Sequence, residues 1–150
     1  MQIDRNGLEV LDREECLRLL GLATIGRIGL SSGALPTVLP VNFRLVGDRV
    51  LVRTGRGSKL DAATRNAVVA FEVDDIDPME HTGWSVVVTG VAREVDPEDV
   101  HPDERVRLAR WAPGEDGRVV AISTDVVSGR RIVAGRPTSG TPIAGPLAGA

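Results

Sequence analysis

Arg49-Val-Leu-Val-Arg53-Thr54-Gly55-Arg56-Gly57-Ser58-Lys59-Leu60-Asp61 decides how this chain is read. Val50 to Val52 is apolar and rich in β-branched side chains, as in a buried strand. Gly55 and Gly57 break that strand and permit backbone angles that other residues resist. Ser58 has the chemistry of a helix N-cap, and Asp61 three residues on closes a capping-box-like pair. Leu60, Ala63 and Thr64 share one helix face, and Asn66 can end the helix. A second strand follows, with Val69, Phe71 and Val73 alternating onto one face.

Strand, glycine turn and helix start together form a potential anion site. A helix N-terminus offers unpaired N–H groups and the positive end of the dipole. Ser58 adds a hydroxyl, while Arg53, Arg56 and Lys59 add charge. Lys59 is the only lysine in the chain, every other basic side chain being arginine or histidine. A compact ammonium at this spot is therefore a specific choice. The same residues also fit a capped helix with a solvated basic turn. They are not a P-loop, because the order is Gly-Ser-Lys and the spacing differs.

The chain has 150 residues and a net charge of −3. That length suits one domain, expected over 1–135, which would bury roughly 70% of its unfolded surface. The acidic balance argues against a nucleic-acid partner. With no tyrosine, two phenylalanines and two tryptophans, an aromatic surface for stacking bases is not expected. Cys16 is alone, so no internal disulfide forms, which fits a reducing cytoplasm. No leader and no apolar run long enough to cross a bilayer is apparent, so no membrane partner is expected. Residues 136–150 are small and carry no charge after Arg136, and they read as a tail.

Outward from the central stretch, residues 1–10 read as a polar lead-in. Leu11-Asp12-Arg-Glu-Glu15-Cys16 starts a helix, with Asp12 as cap and Leu11 stapled onto Cys16. Cys16, Leu19 and Leu20 face a core, which makes Cys16 a packed thiol and not a nucleophile. Thr24–Leu30 and Leu35–Val46 read as strands. Pro40 marks an edge, a bulge or a strand end, where backbone groups freed from pairing could meet a ligand ring. Gly47-Asp48 turns the chain into the central strand. Asp75 to Gly83 reads as a solvated loop and not a metal site, lacking repeated ligand spacing. Trp84 to Val95 is the longest strand, apolar on both faces over Val86–Val91, so its second face needs a cover. His101-Pro102 opens a short helix through Trp111, with His101 as an exposed cap. Two further strands lie over Arg118–Ser123 and Val126–Val133. These pieces make a mainly β chain: a small antiparallel barrel of six or seven strands, mostly in hairpins, with short peripheral helices. No hydrolytic triad can be assembled, and no catalytic side chain is identified. Chemistry here would come from a cofactor.

Five runs, taken in order, carry a resemblance. They are Pro40-Val41-Asn42-Phe43; Val52-Arg53-Thr54-Gly-Arg-Gly-Ser58-Lys59-Leu60; Val69-Ala-Phe71-Glu-Val-Asp74; Gly83-Trp84-Ser85-Val-Val-Val-Thr-Gly90; and Val127-Ser-Gly129-Arg130-Arg131-Ile132. Over roughly Leu8 to Val133 the chain resembles the pyridoxamine 5′-phosphate oxidase-like flavin-binding split-barrel family, particularly its short actinobacterial members. The resemblance implies a split β-barrel homodimer with flavin mononucleotide (FMN) at the subunit interface. By position, Arg53, Thr54, Ser58 and Lys59 would hold the phosphate. Pro40, Val41 and Asn42 would border the ring, and Trp84 and Ser85 would contact the flavin from the same or the second subunit. The implied activity is an FMN-dependent oxidoreductase acting on a small molecule. A deazaflavin-dependent reductase and a non-catalytic flavin-binding protein for storage or sensing are alternatives on the same scaffold. Longer family members carry an arginine and a histidine near the C-terminus for the substrate phosphate and ring. Here Gly129-Arg130-Arg131-Ile132 has no histidine, which points away from pyridoxamine phosphate as substrate.

Overall fold

The computed structural model describes residues 1–55, 57, 58, 60, 61, 64–109 and 117–133. Arg56, Lys59, Ala62, Ala63, the segment 110–116 with Trp111, and the expected tail lie outside the described residues.

Among the described residues there are nine strands: β1 (Gln2–Ile3), β2 (Glu9–Leu11), β3 (Ile25–Ser32), β4 (Leu35–Val46), β5 (Arg49–Thr54), β6 (Val68–Asp77), β7 (Thr82–Val95), β8 (Arg118–Ser123) and β9 (Val126–Ile132). Two α-helices can be given bounds among the described residues, α1 (Arg13–Leu22) and α2 (Pro102–Ala109). Every pairing is antiparallel. Strands β3, β4, β5, β8, β7 and β6 close on one another as a six-stranded barrel, and β9, β2 and β1 extend the sheet beyond β7. The expected barrel is thus what the chain forms. No helix among the described residues is long and apolar enough to cross a membrane.

Closure depends on two strands that change partner along their length. β4 pairs with β3 over Leu35–Asn42 and with β5 over Phe43–Val46. β7 pairs with β9 over Gly83–Thr89 and with β8 over Ala92–Val95. The switch in β7 needs a close approach at Gly90, where an added Cβ would stand 2.0 Å from the Ser123 carbonyl oxygen. The Val91 N–H donates to Ser123 Oγ beside it, at 3.2 Å.

Alternation along the strands sends Ile28, Leu30, Phe43, Val50, Val52, Val69, Phe71, Val73, Val86 and Val88 inward as one core. The two phenylalanines meet edge to face there, with centroids 4.8 Å apart. Helix α1 starts as expected: Asp12 accepts the Glu15 N–H at 2.8 Å. Its Cys16, Leu19 and Leu20 enter the same core. Cys16 lies so close to β9 that a Cβ on Gly129 would stand 2.6 Å from its sulfur. Burial pushes this thiol's pKa up, so Cys16 is packing and not a nucleophile. A second, smaller cluster of Leu51, Val100, Leu108, Val119 and Ala121 lies on the outer side of β5 and β8, beneath α2. His101 caps α2 as expected, its Nδ1 accepting the Asp103 N–H at 3.3 Å.

Two segments differ from expectation. The polar lead-in is an ordered hairpin on the β9 edge. Asp4 organises its turn by accepting the N–H groups of Asn6 and Leu8, at 2.9 and 3.0 Å. The loop expected from Asp75 is shorter, because Asp74–Asp77 pair with Thr82–Ser85 and only residues 78–81 turn. Backbone pairing outweighs the polar side chains there, since those side chains remain in solvent.

Candidate functional site

The turn after β5 folds over one end of the barrel, with Leu60 packed against the main core. Gly57 has φ of +71° and requires its glycine. Gly55 does not, because its φ is not positive, which corrects the expectation that both glycines serve backbone angles. Ser58 is the N-cap: its Oγ accepts the Asp61 N–H at 3.0 Å. Asn66 ends the turn with φ of +53°.

Asp61 holds this turn in place. It is 3% exposed. One carboxylate oxygen accepts the Gly57 N–H at 3.0 Å, and the other accepts the Thr54 hydroxyl at 3.3 Å. Arg65 and Arg118 lie 3.5 and 3.4 Å from the same carboxylate. The Gly57 N–H, ahead of the two arginines, holds the Asp61 pKa below the usual carboxylate range. The residues contributing to this plug come from β5, the turn and β8, and adjacent numbering reveals only the Ser58–Asp61 part. Arg65 and Arg118 were not anticipated, as nothing local marks Arg118 as a partner of a residue 57 positions earlier.

The residues expected at a cofactor fall into two groups. Phe43 and Val52 are the last pair before β4 and β5 diverge. Asn42 and Arg53 come one residue beyond it, so Pro40, Val41 and Asn42 line one lip of the opening and Arg53 and Thr54 the other. The Phe43 N–H donates to Thr24 on the β3 side, at 2.9 Å. Alternate residues therefore direct their backbone groups the opposite way. Pro36, Val38, Pro40 and Asn42 face an edge that no strand among the described residues covers, which is why the two prolines remove no ladder bond. Of the alternatives for Pro40, the open edge is correct.

Val41 is half-buried against the core. Asn42 donates its side-chain amide to the Arg107 carbonyl at 3.1 Å, docking the end of α2 beside the opening. Arg53 lies across Gly117, where a Cβ would stand 2.2 Å from its Nε. Thr54 points the other way and is 1% exposed, its hydroxyl directed to Asp61. Ser58 is half-buried and retains a hydroxyl hydrogen to donate. Lys59 lies outside the described residues.

Trp84 and Ser85 form the second group. Trp84 shares the inward side with Val86 and packs against the core. Ser85 points outward. Asn42 pairs with Ile25 on β3 and Ser85 pairs with Asp74 on β6, so β3 and β6 stand between them in the sheet. One chain does not bring these two groups together.

That outer face runs across β4, β3, β6, β7 and β9. Val38, Val68 and Val126 are 67%, 68% and 63% exposed on it, with Gly29, Ala70, Thr89 and Val87 between them. Glu72 also lies there, 3.7 Å from Arg27. Burial pushes its pKa up, and the neighbouring Asp74 carboxylate pushes the same way.

Arg130 and Arg131 are held by the chain itself. Arg130 pairs with Asp4 at 2.9 Å. Arg131 bridges Glu9, at 3.2 Å, and Glu15. Among the described residues, no group of three or more histidine, cysteine, aspartate or glutamate side chains is placed to hold a metal.

A six-stranded antiparallel barrel with β4 and β5 diverging at one end defines the class as a split β-barrel. The chain belongs to the pyridoxamine 5′-phosphate oxidase family, whose pattern matches residues 12–131. It is 46% identical over 130 residues to the uncharacterized protein Rv0080 of Mycobacterium tuberculosis, covering 83% of this chain and 85% of that one. Among solved structures it is similar to the FAD binding protein from Mycobacterium smegmatis, with 33% identity and a TM-score of 0.66 over 84% of this chain and 99% of that one. A conserved protein of unknown function from Corynebacterium diphtheriae aligns with 30% identity and the same TM-score of 0.66, over 84% of this chain and 98% of the other.

Proposed function

We propose that this chain binds a flavin nucleotide at the split between β4 and β5 and serves as an FMN-dependent oxidoreductase on a small molecule. The observation that carries the reading is the turn after β5. It is shaped in advance by Asp61, and it opens beside the uncovered edge of β4. A phosphate at this turn would meet the Ser58 hydroxyl and, by family position, Lys59, with Arg53 on the adjoining lip. An isoalloxazine ring along Pro40–Asn42 would find backbone donors and acceptors with no strand partner. The flavin supplies hydride or electron transfer when bound. The chain's own part is to orient the ring and exclude water, and among the described residues no side chain at the lips forms a nucleophile–base pair. The M. smegmatis relative that binds FAD supports the flavin part of the reading.

The functional unit is a homodimer in this proposal. Its support is the exposed apolar face around Val38, Val68 and Val126, and the separation of Ser85 from Asn42 within one chain. A second copy across that face would cover the valines and carry Trp84 and Ser85 toward the other subunit's flavin. Pyridoxamine phosphate is not the proposed substrate: the run Gly129-Arg130-Arg131-Ile132 contains no histidine, and carboxylates already hold Arg130 and Arg131.

The test is the visible absorption of freshly purified protein, with identification of the chromophore released on denaturation. FMN or FAD is expected. Failure to bind any flavin refutes the proposal, and binding of a deazaflavin alone moves the chain to a deazaflavin-dependent reductase. Oxidation of a reductant by the flavin-loaded protein separates an enzyme from a carrier. Sedimentation of the loaded protein as a monomer at micromolar concentration would refute the dimer.

A further inference from the structure

A second cavity lies behind the phosphate turn, outside the opening between β4 and β5. Arg65, Asn66, Arg93, Glu94 and Arg118 line a half-open recess of about 360 Å³ at the end of the barrel. A neighbouring recess of about 320 Å³ shares Arg93 and Glu94 and continues along the outer side of β7 and β8. Its walls change character: Val91, Val95 and Ala121 are apolar, and Arg49, Ser123 and Asp125 stand among them, the added guanidinium and carboxylate offsetting each other in charge. Each volume lies at the lower end of the range of about 300–1,000 Å³ for small-molecule sites.

Charge and connection distinguish this groove from ordinary surface relief. Arg118 is shared between Asp61 and Glu94, at 3.4 and 3.2 Å, and Arg65 rests on Asp61 at 3.5 Å. Arg93 is exposed, and among the described residues no carboxylate lies within 4.0 Å of it. Three guanidinium groups against two carboxylates leave one positive charge over. Asp61 joins this cluster to the turn, because the carboxylate that touches Arg65 also takes the Gly57 N–H at 3.0 Å. A phosphate on the turn and an anion in the groove would therefore be near neighbours. In the recess, Ser123 Oγ accepts the Val91 N–H and keeps its hydrogen to donate. Asp125 offers acceptors suited to ribose hydroxyls, and the valines offer an apolar wall for a base.

We propose that this groove takes an adenosine diphosphate moiety, with phosphate at Arg65, Arg93 and Arg118 and the nucleoside along Val91, Val95 and Ala121. The moiety belongs either to the cofactor, as the second half of FAD, or to a nicotinamide dinucleotide that reduces the flavin. Its use in the cell rests on the flavin reading above; its test does not.

The experiment is calorimetric titration of the full chain with ADP in the absence of flavin, comparing wild type, Arg93→Ala and Arg93→Glu. Arg93 is exposed, so both variants should fold, and neither alters the proposed flavin contacts. Saturable ADP binding is expected, weakened about tenfold or more by Arg93→Ala and further by Arg93→Glu, as for loss of a charge-assisted bond. No ADP binding by wild type overturns the proposal, and so does equal binding by all three proteins. Two further arms assign the source. If the moiety is half of FAD, Arg93→Ala weakens FAD and leaves FMN unchanged. If it belongs to a nicotinamide dinucleotide, both flavins bind as before and the KM for that dinucleotide rises at unchanged kcat. Equal weakening of FMN and FAD would place Arg93 at the phosphate turn and overturn the assignment. Arg93-dependent ADP binding by a chain that takes up no flavin would uphold the groove and refute the flavin reading instead.

Discussion

Gly57→Ala, read against Gly55→Ala, isolates the backbone conformation on which the turn after β5 depends. Gly57 has φ of +71°, and an added Cβ would meet no atom within 4 Å. Gly55 also has open space around its Cβ position, but its φ is not positive. Both substitutions remove the same unfolded-state freedom, worth about 0.4–1 kcal/mol in favour of the variant. Only Gly57→Ala forces an L-residue into the left-handed region, at about 1–2 kcal/mol. The entropy contribution cancels in the comparison, so Gly57→Ala should be less stable than Gly55→Ala by about 1–2 kcal/mol. For a chain of this length that is about 2–8 °C in Tm. If the turn relaxes instead of holding the strain, the loss moves to FMN affinity, roughly five- to thirty-fold for the same energy. Thermal melts followed by circular dichroism and fluorescence titration with FMN read the two alternatives. Gly57→Asn should fall between the two alanine variants, since asparagine tolerates this region better. If Gly57→Ala matches Gly55→Ala in both Tm and FMN affinity, the turn geometry described here is wrong.

Gly90→Ala places a methyl 2.0 Å from the Ser123 carbonyl oxygen, and backbone on both strands must move. It should cost about 1–3 kcal/mol in chemical denaturation, and an unchanged midpoint would refute the β7–β8 crossing. Phe43→Ala removes one of two edge-to-face rings in a fully buried site and should cost about 3–5 kcal/mol by the same measurement. Arg18, ahead of Arg131, lowers the Glu15 pKa from 4.5 to about 2. The depressed value means that Glu15 contributes stability above pH 4.5, and that this is lost as pH falls toward about 2. Glu15→Gln should therefore flatten the acid-unfolding curve within that window; the same slope as wild type would show that the pairs with Arg18 and Arg131 add nothing. Lys59→Ala should weaken FMN by roughly 10- to 100-fold and riboflavin, which lacks the phosphate, by less. Equal losses would leave Lys59 as a support of the turn.

What could be read from the sequence was local, and what could not was contact at a distance. The Asp12 cap, the Cys16–Leu19–Leu20 face and the alternation through Phe71 are set by residues within a turn or a strand of one another, and each is present. Ser58 was legible as a cap for the same reason. Asp61 was legible only in part: its spacing from Ser58 marks a helix start, but its burial depends on Arg118, which reaches it through the β5–β8 ladder. The N-terminal hairpin was hidden in part in the same way: Asp4 shapes its own turn through Asn6 and Leu8, but the hairpin is fastened to β9 only where Asp4 and Glu9 meet Arg130 and Arg131. This changes what the arginines mean. By type alone, Arg65, Arg118, Arg130 and Arg131 are as good candidates for an anionic ligand as Arg93. In the fold, Arg130 and Arg131 have carboxylate partners at hydrogen-bond range, and Arg65 and Arg118 share Asp61. A bound phosphate would have to compete with those carboxylates at four of these positions. Arg93 has no such competitor among the described residues, so anion affinity at the end of the barrel should follow Arg93 more closely than the others.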